Sequence, residues 1–378
     1  MISFDKYPHW HNGADKTSEW AVGVESAFAY DYCRSMQNKP FLLMESSPSS
    51  TNWMPVAKLK RPGIHMLGSM QAIAGGADSV QYFQWRQSRG AFEKFHGAVV
   101  THNGSEHTRV FQDVTQVGAR LADLAHIKNT ETKARVAIIF DWDNLRGLDE
   151  QKSLRNVNRD FEQVIMEHYE AVIQNYVSVD VIAQTADFSR YKVIIAPMLY
   201  MFLPGTADKI RIFIKNGGTF IITFYSGMVN ENDLAFECFP PFALNDVFGI
   251  KAEETDSLED SDENSFNWEG KTYKVKRYCD LVQLYGAEVM AVYEQDFYAG
   301  LPVLTKNEYG SGMAYYMAAR SDVDFLRDFY ARVLCDTEIS QIVKSEYVKD
   351  VMVKERCDKE KQYVFLMNFS RDSREICG

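Results

Sequence analysis

Apolar and polar positions follow two periods along this chain, and the switches between them mark out its elements. Residues 2–5 (ISFD) read as a strand, and an aromatic loop covers 7–11. Trp20, Val24, Ala27 and Phe28 recur at helical spacing and predict a helix from residue 16 to about 37. The run FLLM (41–44), bounded by Pro40 and Glu45, is wholly apolar, which predicts a strand buried on both faces of a parallel sheet. A Ser/Pro loop follows, then a helix opening near Pro62 and ending at Ala74 before Gly75-Gly76. A strand at 79–83, a long loop to Gly97 and a helix from 106 to about 124 close the first segment. This order predicts a parallel α/β sheet whose ligand-binding groups sit at the carboxyl ends of its strands.

The second segment opens at Ala134 with a buried-type strand and its polar end, 134–144. A helix over about 157–176, strands at 179–182, 192–197 and 219–224, and a helix over 204–216 predict a doubly wound α/β domain. Between 253 and 263, seven of eleven residues are Asp or Glu, which predicts a solvated loop. Strands resume near 275, at 289–292 and at 314–317, a helix runs from about 322 to 334, and 362–369 (QYVFLMNF) is a last strand.

A length of 378 residues suits about two domains. With 41 basic and 52 acidic residues the net charge is −11, which disfavours nucleic acid as a partner. No apolar run approaches the ~18 residues of a membrane span. Six cysteines, at 33, 238, 279, 335, 357 and 377, show neither C-x-x-C nor zinc-site spacing, so no metal or cofactor is expected. They fit a reducing, cytoplasmic compartment. Both ends look unfinished: a strand-forming run opens the chain, and the last strand stops nine residues before Gly378. The expectation is part of a longer polypeptide.

Candidate chemistry gathers just after the strands of the first segment. Glu45 follows FLLM directly; taken alone, it reads first as a strand-end acid capping the turn with Ser46 and Ser47. Trp53 stands in the next loop, a subsite wall or a core tryptophan. After the third strand come Trp85, Arg86, Arg89, Glu93, Phe95 and His96. Carboxylates and imidazole suit sugar hydroxyls, and aromatic faces suit sugar C–H surfaces. Tyr7 and Trp10 are weaker candidates for an added aromatic wall.

The stretches MESSPSSTNWMPVAKLKRPG (44–63), GADSVQYFQWRQSRGAFEKFHGAVV (76–100) and EHTRVFQDV (106–114) closely resemble the glycoside hydrolase family 42 β-galactosidases. The resemblance implies that residues 1–125 are the last part of a (β/α)8 TIM barrel. It implies a glutamine-amidotransferase-like trimerisation domain at 134–338, and the start of a small β-domain at 343–378. It makes Glu45 the catalytic nucleophile, and Trp53, Glu93 and His96 substrate-binding residues for a terminal β-D-galactoside hydrolysed with retention. The family's acid/base glutamate, preceded by asparagine, belongs to an earlier barrel strand and has no counterpart in this sequence. The expectation is therefore a chain inactive by itself; the alternative is a non-catalytic oligomerisation or sugar-binding fragment. The second segment has no cysteine after 219–224, where Tyr225-Ser226-Gly227 stands, and His168 falls on a distant helix. A homotrimer is expected rather than a second activity.

Overall fold

The structure is a computed structural model and describes residues 2–8, 18–157 and 159–376. Trp10 and the first residues of the expected helix from residue 16 lie outside the described residues. The chain forms two compact units: Met1–Lys133 with Tyr176–Ser178 and Gln341–Gly378, and Ala134–Asn175 with Val179–Ser340.

The first unit begins with strand β1 (Ser3–Asp5), helix α1 (Glu19–Ser35), strand β2 (Phe41–Glu45), helix α2 (Ile64–Ala74), strand β3 (Ala77–Val80) and helix α3 (Arg109–Asp123). The three strands lie parallel in the order β1-β2-β3, as the alternating pattern predicts. Ser18 and Thr108 cap the two longer helices by accepting the amide hydrogens of Ala21 and Phe111. Phe41 and Leu43 point into a core with Tyr30, Cys33, Ala72, Ile73 and Ala77, and the Tyr30 and Phe41 rings stack at 5.9 Å. β3 starts two residues before the expected strand, because Gly76 already bonds across to Phe41 and the chain leaves the sheet after Gln81.

In the second unit come strand β4 (Val136–Ile139), helices α4 (Trp142–Glu150) and α5 (Phe161–Ile173), strands β5 (Val179–Ile182) and β6 (Val193–Ala196), and helix α6 (Thr206–Lys215). Strand β7 (Thr219–Thr223) and helix α7 (Asn245–Phe248) follow, then β8 (Ile250–Asp256), β9 (Asn264–Trp268), β10 (Lys271–Leu284), β11 (Glu288–Val292), β12 (Pro302–Tyr309), β13 (Gly312–Met317) and β14 (Ala319–Ser321). Helix α8 (Val323–Asp336) ends it. The main sheet has seven strands in the order β11-β12-β13-β7-β6-β4-β5, and β5, β4, β6, β7 and β13 are parallel neighbours. Strand order therefore reverses at β4, where doubly wound sheets open a crevice.

Two local expectations are corrected here. The polar end of the first strand is helix α4, started by Asp141, whose carboxylate accepts the amides of Asp143 and Asn144. The acidic stretch is partly strand: Ile250 and Ala252 are buried on one face of β8 while Glu253 and Glu254 face solvent.

His168 is buried on α5 with Nδ1 against the Tyr330 hydroxyl. Burial, and then the charge of Arg320, pushes its pKa down to about 3. His65, on α2 of the first unit, is pushed down to about 3 by burial, then by Lys60 and Arg109. Both stay neutral when folded but take up a proton near 6.5 when unfolded. The unfolded chain thus binds more protons between those values, and stability falls as pH drops through that window. Each histidine contributes up to about 1.4 kcal/mol per pH unit. Urea unfolding at pH 7.5 and pH 5 is expected to show this loss, and His168→Gln to flatten the slope for the second unit. An unaltered slope in that variant would remove His168 as its source.

The chain returns to the first unit as an antiparallel hairpin, β15 (Val351–Cys357) and β16 (Gln362–Asn368). Tyr363 and Phe365 of β16 pack on the core beneath β1–β3. Lys354 and Arg356 of β15 are buried, the first paired with Asp31 of α1 and the second with Asp78 of β3.

Candidate active site

Glu45 is the last residue of β2 and stands beside Asp5, the last of β1, in the parallel register. Its carbonyl accepts the Lys6 amide at 3.0 Å, which extends the pairing one residue past the strand. Its carboxylate accepts a hydrogen bond from the Tyr7 hydroxyl, 2.7 Å from Oε2. Burial first, then this bond and the charges of Glu45, Asp5 and Glu93, raises the Tyr7 pKa far above its ordinary value. Tyr7 is therefore a fixed donor at any working pH. Asp5 is held above the usual carboxylate range by burial and by the Glu45 charge beside it.

Tyr7 is also the packing centre of the site. Its ring meets Trp53 edge-on at 5.9 Å and His96 edge-on at 5.9 Å. Trp53 remains about half exposed, whereas His96 is buried. His96 Nδ1 lies 3.0 Å from the Gly97 carbonyl, which can only accept, so that nitrogen carries a proton and Nε2 is left to face the site. Phe83 backs the same ring at 5.0 Å. Glu93 lies in a short 3-10 helix, Phe92–Phe95, and accepts from Asn52 Nδ2 at 3.2 Å, the residue before Trp53. The backbone carbonyl of Glu93 accepts from Gln84 Nε2 and from the His96 amide. The four residues singled out from sequence are thus gathered by two they were not ranked with, Tyr7 and Asn52.

The loop after Glu45 is fixed carbonyl by carbonyl. Ser46 accepts from the Phe83 amide at 3.1 Å, Ser47 from Lys60 Nζ at 2.6 Å, and Ser50 from the Gly97 amide at 2.7 Å. A Cβ on Gly97 would come within 2.3 Å of Ser49 Oγ and 2.4 Å of the Ser50 carbonyl, so only glycine lets the two loops approach this closely. Trp85, Phe92 and Phe95 stand largely exposed on the neighbouring rim.

Among the described residues no group of three His, Cys, Asp or Glu side chains could hold a metal ion, and no helix is long and apolar enough to cross a membrane. In the second unit the turn after β7 has the left-handed backbone of a nucleophile elbow at Tyr225, φ 59°. Its amide is already taken by buried Asp280, 3.2 Å away, and Ser226 Oγ accepts the Leu199 amide. Burial pushes the Cys279 thiol up to about 12 and raises that of Cys238, the reverse of an activated nucleophile. A cavity of about 610 Å³, lined by Tyr200, Tyr225, Glu253 and Glu254 among others, opens there.

Residues 1–124 match the β-galactosidase family profile, and residues 134–340 match the β-galactosidase trimerisation domain. The chain belongs to the glycoside hydrolase family 42 β-galactosidases. It is 45% identical to the β-galactosidase Pbg of Clostridium perfringens and 44% identical to BglY of Alicyclobacillus acidocaldarius, in each case over 100% of this chain and 55% of the relative. Gan42B, a family 42 β-galactosidase from G. stearothermophilus, superposes with a TM-score of 0.95 at 42% identity, over 98% of this chain and 54% of that one. The β-galactosidase of Rahnella sp. R3 does so at 0.96 and 42%, over 100% and 56%. The chain thus spans about half the length of the family members it matches, and its α/β fold is theirs.

Proposed function

We propose that this chain supplies the nucleophile side of a retaining β-galactosidase, together with the module through which the enzyme trimerises. The bond from Tyr7 to Glu45 carries this reading: a strand-end carboxylate with one oxygen held by a phenol and the other without a hydrogen-bond partner among the described residues, the phenol ring lying between Trp53 and the His96 imidazole. In that chemistry the other oxygen of Glu45 attacks the anomeric carbon as the glycosidic C–O bond breaks, and a second carboxyl gives its proton to the departing oxygen. That second carboxyl, ~5–5.5 Å from the first in retaining enzymes, then takes a proton from the water that releases galactose. The family resemblance assigns it to an Asn-Glu strand of the barrel that this sequence does not contain. Glu93 and Nε2 of His96 are the partners for galactosyl hydroxyls, and Trp53 the plate for the sugar's C–H face.

In this reading β1–β3 are a segment of the (β/α)8 barrel, the second unit is the glutamine-amidotransferase-like trimerisation domain, and the hairpin begins the small β-domain. The described cysteines are all free, which suits a cytoplasmic protein. The test is a chimera in which the part of the Clostridium perfringens relative not spanned here precedes this chain. It is expected to hydrolyse a nitrophenyl β-galactoside, and a 2-fluoro-galactosyl fluoride is expected to label the peptide containing Glu45. The chain without that part is expected to show no turnover. A label on any other carboxylate would overturn the assignment.

A further inference from the structure

Lys60 is a buried cation in an unfavourable place. It is 7% exposed, and among the described residues no carboxylate forms an ion pair with it. It lies four residues before α2, near the positive end of that helix, and it shares the surroundings of buried His65, whose pKa its charge helps to lower. Burial pushes its pKa down to about 8. Among the described residues its one hydrogen-bond partner is the carbonyl of Ser47, two residues beyond Glu45. An apolar side chain would fill this space with a smaller desolvation penalty, so the lysine is explained by what it holds.

What it holds is the one carbonyl of the Glu45 loop, among those fixed, that no backbone amide reaches. Glu45, Ser46 and Ser50 accept from the amides of Lys6, Phe83 and Gly97; among the described residues the Ser47 carbonyl accepts from Lys60 alone. The Ser47 hydroxyl then ties the turn together, accepting from the Ser49 amide and donating to the Ser50 carbonyl. Without the ammonium group a buried carbonyl at the pivot of this turn is unpaired, and the turn can rotate to find water. Such a rotation swings Glu45 at one end and Trp53 at the other.

We infer that Lys60 is a positioning residue, which fixes the direction of the Glu45 carboxylate by clamping the Ser47 carbonyl; this rests on the reading of Glu45 as nucleophile. Hydrogen exchange on this chain tests the clamp. Lys60→Met is expected to speed exchange in peptides covering 44–53 and 95–98 by about tenfold or more. Lys60→Arg should restore protection to within about threefold, and peptides of α5 should exchange as in the parent. Should Lys60→Met unfold the first unit, Lys60→Gln, with a neutral amide donor on a shorter stem, takes its place under the same expectations. In the chimera the substitution is expected to lower kcat by about tenfold or more with KM changed less than about threefold. Unchanged protection in the folded variant, or a loss confined to KM, would overturn the inference. Full turnover by Glu45→Gln in the chimera would sink the nucleophile reading instead, and the exchange result would still decide whether Lys60 holds the turn.

Discussion

Glu45→Gln, placed in the completed enzyme, is expected to lower kcat on an activated β-galactoside on the order of ten-thousandfold. That corresponds to about 5.4 kcal/mol of transition-state stabilisation. The substitution is nearly isosteric, and its amide oxygen can still accept the Tyr7 hydroxyl, so the packing of Tyr7 against Trp53 and His96 survives. What is lost is the anionic oxygen that forms the bond to the anomeric carbon. The unfolding midpoint should stay within about 0.5 kcal/mol of the parent, which separates loss of chemistry from loss of fold. Glu45→Ala sharpens the test: it opens a gap in which azide can attack the same carbon, giving the α-galactosyl azide and partial recovery of leaving-group release. A loss below about tenfold in Glu45→Gln, or a β-configured azide product, would place the nucleophile elsewhere.

How much of this was legible in the sequence depends on the range of the interactions that decide it. The run FLLM announced a strand, and a carboxylate directly after it announced a strand-end acid; both are local facts, and both stand where expected. Burial on both faces does not hold, for Phe41 and Leu43 are buried while Leu42 is half-buried and Met44 exposed. Helix α4 was written in the sequence as well, with Asp141 before Trp142 as its cap, but Gly147 and a mostly polar composition hid the periodicity. Tyr7 is different. Nothing in residues 2–8 says that its hydroxyl will meet Glu45, 38 positions away; that follows only from the parallel pairing of β1 with β2. Lys60 and Asn52 are of the same kind, for their partners are a backbone carbonyl and a short 3-10 helix that no periodicity marks. Nor does residue type reveal that Tyr176–Ser178, between α5 and β5, belong with the first unit, where the Tyr176 carbonyl and hydroxyl accept the amides of Ile342 and Val348.

Arg356 is the extreme case, and the largest expected loss of stability follows from it. In VMVKERC it reads as an outward-facing charge of an alternating strand, yet it is 1% exposed. Its guanidinium donates to the Ile73 and Ala77 carbonyls at 3.2 and 2.9 Å through Nη1. Through Nη2 it donates to Asp78 Oδ1 and the Thr130 carbonyl at 2.7 and 3.0 Å. One side chain thus joins β15 to the end of α2, the start of β3 and the turn after α3. Arg356→Met keeps most of the volume but leaves the Asp78 carboxylate and three carbonyls without the charge that compensates them. Removing one partner of such a buried pair costs roughly 3–5 kcal/mol. Arg356→Lys keeps the charge but has three donors for four acceptors and no planar fork, so an intermediate loss is expected. Asp78→Asn in the Arg356→Met background should return part of the stability, because the stranded charge is then gone. Urea titrations followed by probes in each unit check this: the transition of the first unit moves down while that of the second holds. A shift below about 1 kcal/mol in Arg356→Met would show that water reaches these carbonyls and that the hairpin is not held by this side chain.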